Sequence, residues 1–369
     1  MHDFRNIPQA YLRFGPGLNL ITGANGQGKS NLLEAVGLLA TGRSFRRVPP
    51  GVMRRGDQPW FRVSGGVQDQ GMSRQLEFFG DGKRQVVHLD GKPMAAVSLM
   101  ERVLVAVIVT PETPLLVRGG PGERRDFLDW VIFSANRRHG TESREYHRAL
   151  RARNQLLKRP GRDSREIDAW EAHLAILGAR IAWRRHEVVT RLAGILPGFL
   201  DGLDLVCDHY NMVLEGHLEP MFALVTHSSE VMDGAITWMR NALAANREAD
   251  QRRGLTGVGP HRDELLLQVD GRLLSRFGSR GEQKRFAFAL KLAEAQLLEE
   301  TLGQSLVLVL DDPSSELDRN GMQRLMTLLA GHGRQLFVAA REAEEIPWPD
   351  SSLVVHAVDA GVFHTRETV

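Results

Sequence analysis

Gly23-Ala24-Asn25-Gly26-Gln27-Gly28-Lys29-Ser30 matches the pattern G-x-x-x-x-G-K-[ST]. The apolar run at residues 17–22 leads straight into it, and Asn31–Ala40 has helical character. Strand, glycine loop and helix in that order are the context a phosphate loop needs. Glycines let backbone N–H groups face a phosphate chain, and the start of the following helix adds positive potential. Lys29 is placed to reach the β- and γ-phosphates, and the Ser30 hydroxyl to coordinate Mg2+. The expected ligand is a nucleoside triphosphate.

A second group of acids, Asp311-Asp312-Pro313-Ser314-Ser315-Glu316-Leu317-Asp318, follows the apolar run Leu306–Leu310 near the other end of the chain. A carboxylate at that strand end, Asp311, can complete a magnesium shell. Asp312 can orient or deprotonate an attacking water. Between loop and acids, Ser279-Arg280-Gly281-Glu282-Gln283 opens a predicted helix reaching Glu300. Ser and Gly at a helix start form an anion site, although they also describe an ordinary N-cap. The distance between the two phosphate motifs implies a large insert within a nucleotide-binding domain.

The texture of the chain agrees. Residues 60–110 alternate short apolar runs with the turn pairs Asp81-Gly82 and Asp90-Gly91, which predicts an antiparallel sheet ending in a buried strand at Val103–Val109. From Glu123 to about Leu196 glycine is scarce. There Trp170, Leu174, Leu177, Ile181, Val188, Leu192 and Ile195 follow spacings of three, four and seven, an amphipathic helix of roughly thirty residues. A further helix is expected around Glu230–Arg253. Strand texture returns at Glu264–Val269, with strands at Ser305–Leu310 and Gln335–Ala340 and a helix over 321–331.

The 369 residues exceed one typical core. The single cysteine, Cys207, excludes an internal disulfide framework and fits a reducing compartment. No uninterrupted apolar stretch is long enough for a transmembrane helix, and Met1–Arg5 lacks a signal-peptide core, so a cytoplasmic protein without membrane association is expected. No Cys/His spacing resembles a zinc site. The six tryptophans are scattered, as packing residues are, and His261 reads as a loop histidine of structural use. Net charge is only +2, yet residues 118–165 hold thirteen Lys/Arg against six Asp/Glu. Such a block fits a polyanion site, or equally a solvated helix surface.

Loop, signature and acids in this order resemble the plan of the ATP-binding-cassette (ABC) ATPases. The chain is similar to the branch that holds the SMC proteins and Rad50, and to the RecF family within it. The similarity is carried by Phe4-Arg5-Asn6, Gly26–Ala35, Gly42-Arg43-Ser44-Phe45-Arg46, Arg124–Asp129, Arg153–Lys158, Gly259-Pro260-His261-Arg262-Asp263-Glu264 and Asp311–Asp318, spread over nearly the whole chain in family order.

The resemblance implies an α/β fold, an ABC-type P-loop ATPase head with an inserted α-helical arm. Residues 1–110 would form the head's N-terminal lobe, 111–255 the arm and 256–369 the C-terminal lobe. It implies ATP and Mg2+ as cofactors, held by Gly23, Ala24, Asn25, Gly26, Gln27, Gly28, Lys29 and Ser30, with Ser30 and Asp311 on the metal and Lys29, Asp311 and Asp312 catalytic. It further implies an ATP-dependent homodimer. In it Ser279, Gly281 and Glu282 of one subunit contact nucleotide held by the other, and Asp318 lies at the seam. Such a clamp would enclose duplex or gapped DNA in recombinational repair and replication restart after DNA damage, within the SOS response. It would recruit the RecR and RecO mediators and hydrolyse ATP slowly.

For the DNA contacts, Arg144, Arg148, Arg151 and Lys158 are spaced to share one helix face and could neutralise phosphates without reading bases. Arg46 and Arg47, with Arg54-Arg55, make a second basic cluster. Four places depart from the family. Asp312 stands where most ABC enzymes have glutamate; aspartate is typical of the RecF family, but it is a shorter arm for placing water. Arg280 replaces a glutamine of the signature. Ala339-Ala340-Arg341 lacks the His, Ser or Thr expected to sense a γ-phosphate. Fewer residues than usual precede Phe4. Two other readings stand beside the clamp: an ATP-gated DNA or protein scaffold with negligible hydrolysis, and a small-molecule kinase, which would need lid arginines and no Ser279 signature.

Overall fold

The computed structural model describes residues 1–69, 71–94, 103–159, 164–205, 209–222, 229–331, 333–349 and 353–368. Packing divides the chain into two compact units: Met1–Pro114, Gly198–Leu205 and Lys284–Val369 in the first, and Leu115–Pro197 and Val206–Gln283 in the second. These limits differ from sequence divisions at 110/111 and 255/256. The reason is pairing: strand Tyr210–Glu215 runs antiparallel to Glu264–Val269, which keeps the chain as far as Gln283 with the helical unit. Cys207 lies outside the described residues.

The first unit holds two six-stranded sheets. In one, strands Leu18–Thr22, Gln335–Ala340, Val307–Asp311 and Ala106–Val109 lie side by side and parallel. All are mainly apolar, as parallel strands covered on both faces are, apart from the buried Asn19 and the end residues Thr22, Gln335 and Asp311. Leu353–Asp359 adds to the other side of Leu18–Thr22 and pairs antiparallel with Val362–Thr368. Ala106–Val109 therefore belongs to the parallel sheet, which corrects the expectation that it closes the antiparallel one. Its parallel register with Val307–Leu310 is what decides this.

The antiparallel sheet runs through Ile7–Gln9, His2–Phe4, Phe61–Asp69, Met72–Gly80, Gln85–Leu89 and Lys92–Met94. Asp90 and Gly91, at φ 50° and 76°, make the expected tight hairpin turn. Phe4, Phe61 and Phe78 form its core with Leu38 of the helix Lys29–Thr41. That helix ends at Gly42, whose left-handed backbone (φ 69°) lets its N–H reach the Leu38 carbonyl.

In the second unit the helices Pro121–Ala135, Arg138–Leu157, Ser164–Gly202 (which runs on into the first unit), Ser229–Ala245 and Arg247–Arg253 dominate. The long helix has 39 residues, and Leu174, Leu177, Ile181, Val188 and Leu192 on its apolar stripe are buried. The helix expected at Glu230–Arg253 is interrupted at Asn246.

Two buried arginines pin this unit. Arg153, fully buried, donates to Glu171 (3.1 Å), Asp250 (2.8 Å), Thr256 (2.8 Å) and the Leu243 carbonyl (3.0 Å). Arg185 donates to both Asp129 oxygens at 2.9 Å, to Asp263 at 2.9 Å and to the Pro260 carbonyl. Burial alone would raise the Asp129 carboxyl, but Arg185 and His139 hold it well below the usual range. Arg124 pairs with Glu264 at 2.6 Å, and Arg125 donates to the Asp263 carbonyl at 2.8 Å. Arg124, Arg125 and Arg153 of the basic block are thus consumed inside the fold, while Arg144, Arg148, Arg151 and Lys158 stay exposed.

Candidate nucleotide-binding site

The loop Gly23–Ser30 leaves the C-terminal end of Leu18–Thr22 and enters the helix Lys29–Thr41. Gly23 and Gly28 hold φ of 146° and 127°, which an L side chain rarely adopts, and a Cβ on Gly23 would stand 2.4 Å from the Val358 carbonyl oxygen. The loop is braced from two sides. Gln27 accepts from the N–H of Gly361 through its carbonyl (2.9 Å) and from that of Ala360 through its side chain (2.5 Å). Asn6 donates to the Gln27 carbonyl (3.0 Å) and accepts from Asn31 (2.8 Å). Among the described residues no partner takes the amide N–H of Gly26, Gly28, Lys29 or Ser30. Those orphaned donors at a helix start are what an anion would satisfy.

Lys29 is buried, and its ammonium donates to the loop's own carbonyls, Gly23 at 2.5 Å and Ala24 at 3.1 Å. Burial lowers its pKa, opposed by the charges of Asp312 and Asp311. Ser30 donates to Asp311 at 2.7 Å, so the two distant motifs meet through their oxygen atoms. Asp311 is the last residue of its strand and buried, and burial pushes its carboxyl up. A hydroxyl and one carboxylate are a typical protein share of a Mg2+ shell, which keeps waters and phosphate oxygens for the rest. The residues present therefore fit MgATP. Asp312 takes a left-handed backbone (φ 50°), and the Ser314 hydroxyl lies 3.2 Å from its carboxylate and 2.7 Å from Glu345.

A group that the sequence reading gave no role stands behind the loop. Glu34, fully buried on the loop's helix, receives two bonds from Arg5 (2.8 and 2.7 Å) and one from Ser44. Arg46 lies 3.5 Å from the same carboxylate and donates to Asn31 at 2.9 Å. The motif residues Arg5, Asn6 and Arg46 thus hold the phosphate loop in shape. Their presence in quoted motifs was the available signal; their convergence on Glu34 was not visible.

The remaining predicted residues sit as follows. Ser279 and Glu282, in the second unit, form a reciprocal capping box: the Ser279 N–H donates to Glu282 (2.6 Å) and the Glu282 N–H to the Ser279 hydroxyl (3.2 Å). Ser279, Arg280 and Gly281 are exposed. Asp318 is exposed and caps the helix Arg319–Ala330 by accepting from Gly321 N–H at 2.8 Å. Arg144, Arg148 and Arg151 are exposed on one helix, with Lys158 exposed at its C-cap. Glu142, on that helix, faces Arg180 and Arg184 and does not neutralise the row by pairing with it. Arg47 is exposed with φ 55°. In the second cluster, Arg55 is paired with Asp3 at 2.7 Å, and Arg54 donates to the Gln58 carbonyl. His261 is held between the Tyr146 hydroxyl (2.7 Å) and the Thr256 carbonyl (3.0 Å), in a structural position.

A family model described as an AAA domain matches residues 1–105. The DNA replication and repair protein RecF of Magnetococcus marinus is 50% identical over 374 residues, covering 100% of this chain and 97% of the relative. The chain belongs to the RecF family. RecF of Geobacter sulfurreducens is 34% identical, with 93% and 92% of the two chains covered. A solved structure of the recombination mediator protein RecF with ATP, of the RecFOR pathway, matches at a TM-score of 0.87 and 28% identity over 99% of this chain and 95% of that one. An SMC head bound to a domain of ScpA matches at 0.56 and 12%, a likeness of fold alone. The fold is the α/β ABC-type ATPase head that the motif order predicts. Among the described residues no helix is long and apolar enough to cross a membrane.

Proposed function

We propose that this RecF-family chain binds MgATP at Gly23–Ser30 and Asp311, pairs with a second copy of itself in that state, and closes on duplex DNA beside single-strand gaps. The observation that carries this reading is the 2.7 Å bond between Ser30 and Asp311, because it sets two oxygen ligands side by side before any ion arrives. Mg2+ held there would withdraw charge from the phosphate oxygens. Lys29 would exchange the carbonyl dipoles of Gly23 and Ala24 for a full negative charge. Ser279, Gly281 and Glu282 would face the nucleotide of the second copy, with Asp318 at the seam. The helix row Arg144, Arg148, Arg151 and Lys158, with Arg46 and Arg47 as a further group, would meet DNA phosphates. The second unit, Leu115–Pro197 and Val206–Gln283, would carry the row, and the first unit the phosphate loop and acids.

Hydrolysis would be slow and stimulated by DNA, since Asp312 is one methylene shorter than glutamate. RecR and RecO are the proposed protein partners, a reading supported by the RecFOR-pathway relative. A second reading, an ATP-gated scaffold with negligible turnover, is favoured by the engagement of Asp312 with Ser314. Oligomeric state and DNA affinity measured with ATP, with ADP, and with Lys29→Ala or Ser279→Arg protein test the clamp. ATP that changes neither quantity would sink it. Equal single-turnover rates for wild type and Asp312→Asn would favour the scaffold.

A further inference from the structure

In the parallel sheet the strand Gln335–Ala340 lies between Leu18–Thr22 and Val307–Asp311, with Ala340 beside Thr22 and Ala339 beside Asp311. Its carboxyl end therefore opens between the phosphate loop and the acids, at the edge where open α/β sheets bind ligands. The residue that emerges there is Arg341. Its carbonyl accepts from Gly23 N–H at 3.1 Å, and its Nε lies 3.4 Å from the Asn25 side-chain oxygen. The side chain is exposed, and among the described residues it makes no ion pair. Beyond the effect of burial, its charge lowers the Lys29 pKa, while the carboxylates of Asp312, Asp311 and Glu345 raise it.

The segment after Arg341 is tied to the acid side of the site. Glu345 accepts from the Arg341 N–H (3.3 Å) and from the Ser314 hydroxyl (2.7 Å), and that hydroxyl is 3.2 Å from Asp312. Asn25, Arg341, Glu345, Ser314 and Asp312 thus form one chain of contacts from the loop to the acids. Lys29 and Arg341, neither in an ion pair among the described residues, stand near a set of orphaned N–H donors on the loop side, with Asp311, Asp312 and Glu345 on the acid side.

We propose that Arg341 contacts the terminal phosphate of the nucleotide in the loop, in cis, and so distinguishes triphosphate from diphosphate, with Glu345 as the positioning residue that fixes its backbone. This rests on the reading of Gly23–Ser30 as an ATP site. A guanidinium presents a planar fork of donors that fits phosphate oxygens in pairs, and a cation supplied in cis can stabilise the charge of a transferring phosphoryl group. It also supplies, from an unexpected residue type, the contact that Ala339 and Ala340 cannot make.

Equilibrium binding of ATP and ADP, each with Mg2+, to the full chain tests this. Arg341→Ala should lose roughly tenfold or more in ATP affinity while ADP affinity stays within about twofold, since a lost charge-assisted contact has that size. Arg341→Lys should fall between, and Glu345→Gln should reduce the ATP preference without touching ADP. Unchanged melting of these variants shows that the effect is local, as expected of an exposed side chain. An unaltered ATP-to-ADP ratio in Arg341→Ala overturns the proposal. Wild type that binds neither nucleotide, or loses nothing in Lys29→Ala, overturns the ATP site itself and this inference with it.

Discussion

Ser30 and Asp311 share a hydrogen bond of 2.7 Å across 281 residues of sequence. The bond places the magnesium ligands proposed for the site on adjacent elements, the first turn of a helix and the last residue of a strand. Ser30→Ala and Asp311→Asn should each weaken ATP binding in Mg2+ by about tenfold, and the double variant should cost little more than either alone, because both ligate one ion. In EDTA all three should match wild type. Isothermal titration with and without Mg2+ reads the difference, and equal losses in EDTA would assign the bond a purely structural role.

Arg153 has no solvent exposure and neutralises Glu171 and Asp250 at once. Arg153→Ala would leave the buried Asp250 without its cation and Glu171 with Arg247 alone, which costs about 3–5 kcal/mol. The loss should appear as a lowered melting transition of the second unit. A melting curve like that of wild type would show that water replaces the guanidinium there.

Exposed arginines that neutralise DNA phosphates release counterions. Arg144→Glu, Arg148→Glu and Arg151→Glu combined should weaken DNA binding and reduce the slope of log affinity against log salt by roughly three, at about 0.9 per lost phosphate contact. Thermal stability should hold, since these side chains face solvent. Filter binding over a salt series checks it, and an unchanged slope would move the DNA surface elsewhere.

His261 is lowered to about 4 from an ordinary 6.5, chiefly by burial. The Thr256 carbonyl can only accept, so Nε2 carries the proton and Nδ1 accepts from the Tyr146 hydroxyl. Protonation would make both nitrogens donors, so the Tyr146 hydroxyl would have to turn and accept from Nδ1. Below pH 6.5 the unfolded chain takes up this proton while the folded chain refuses it until about pH 4, so stability falls as pH falls through that window, by about 2 kcal/mol between pH 7 and 5. Asp263, pushed up to about 6 by burial, acts in the opposite sense, with stability lost as pH rises from its ordinary 3.8 toward 6. Removing one member should expose the other: His261→Gln should flatten the acid loss of stability between pH 6.5 and 5. Chemical denaturation at several pH values would detect a slope that His261→Gln leaves unchanged, and that result would remove His261 from the account.

Local patterns were legible wherever a segment's structure depends on its own residues. The loop and its helix, the Asp90-Gly91 turn, the long amphipathic helix and the strand Gln335–Ala340 follow from glycine placement and apolar spacing, each set by the chain within a few residues. Sheet membership was not legible. Val103–Val109 reads as a buried strand whichever sheet it joins, and only the register with Val307–Asp311 assigns Ala106–Val109 to the parallel one.

The sequence alone determined the family, the phosphate loop and the acids, because a phosphate site is encoded in residue types at fixed spacing. Only the tertiary structure decided that Arg5, Ser44 and Arg46 converge on Glu34, that Arg153 and Arg185 are internal pins, and that Arg341 emerges between loop and acids. Those facts rest on which strands are neighbours and which charges are buried together. Both are set by packing between residues far apart in the chain, and no local pattern of side chains records them.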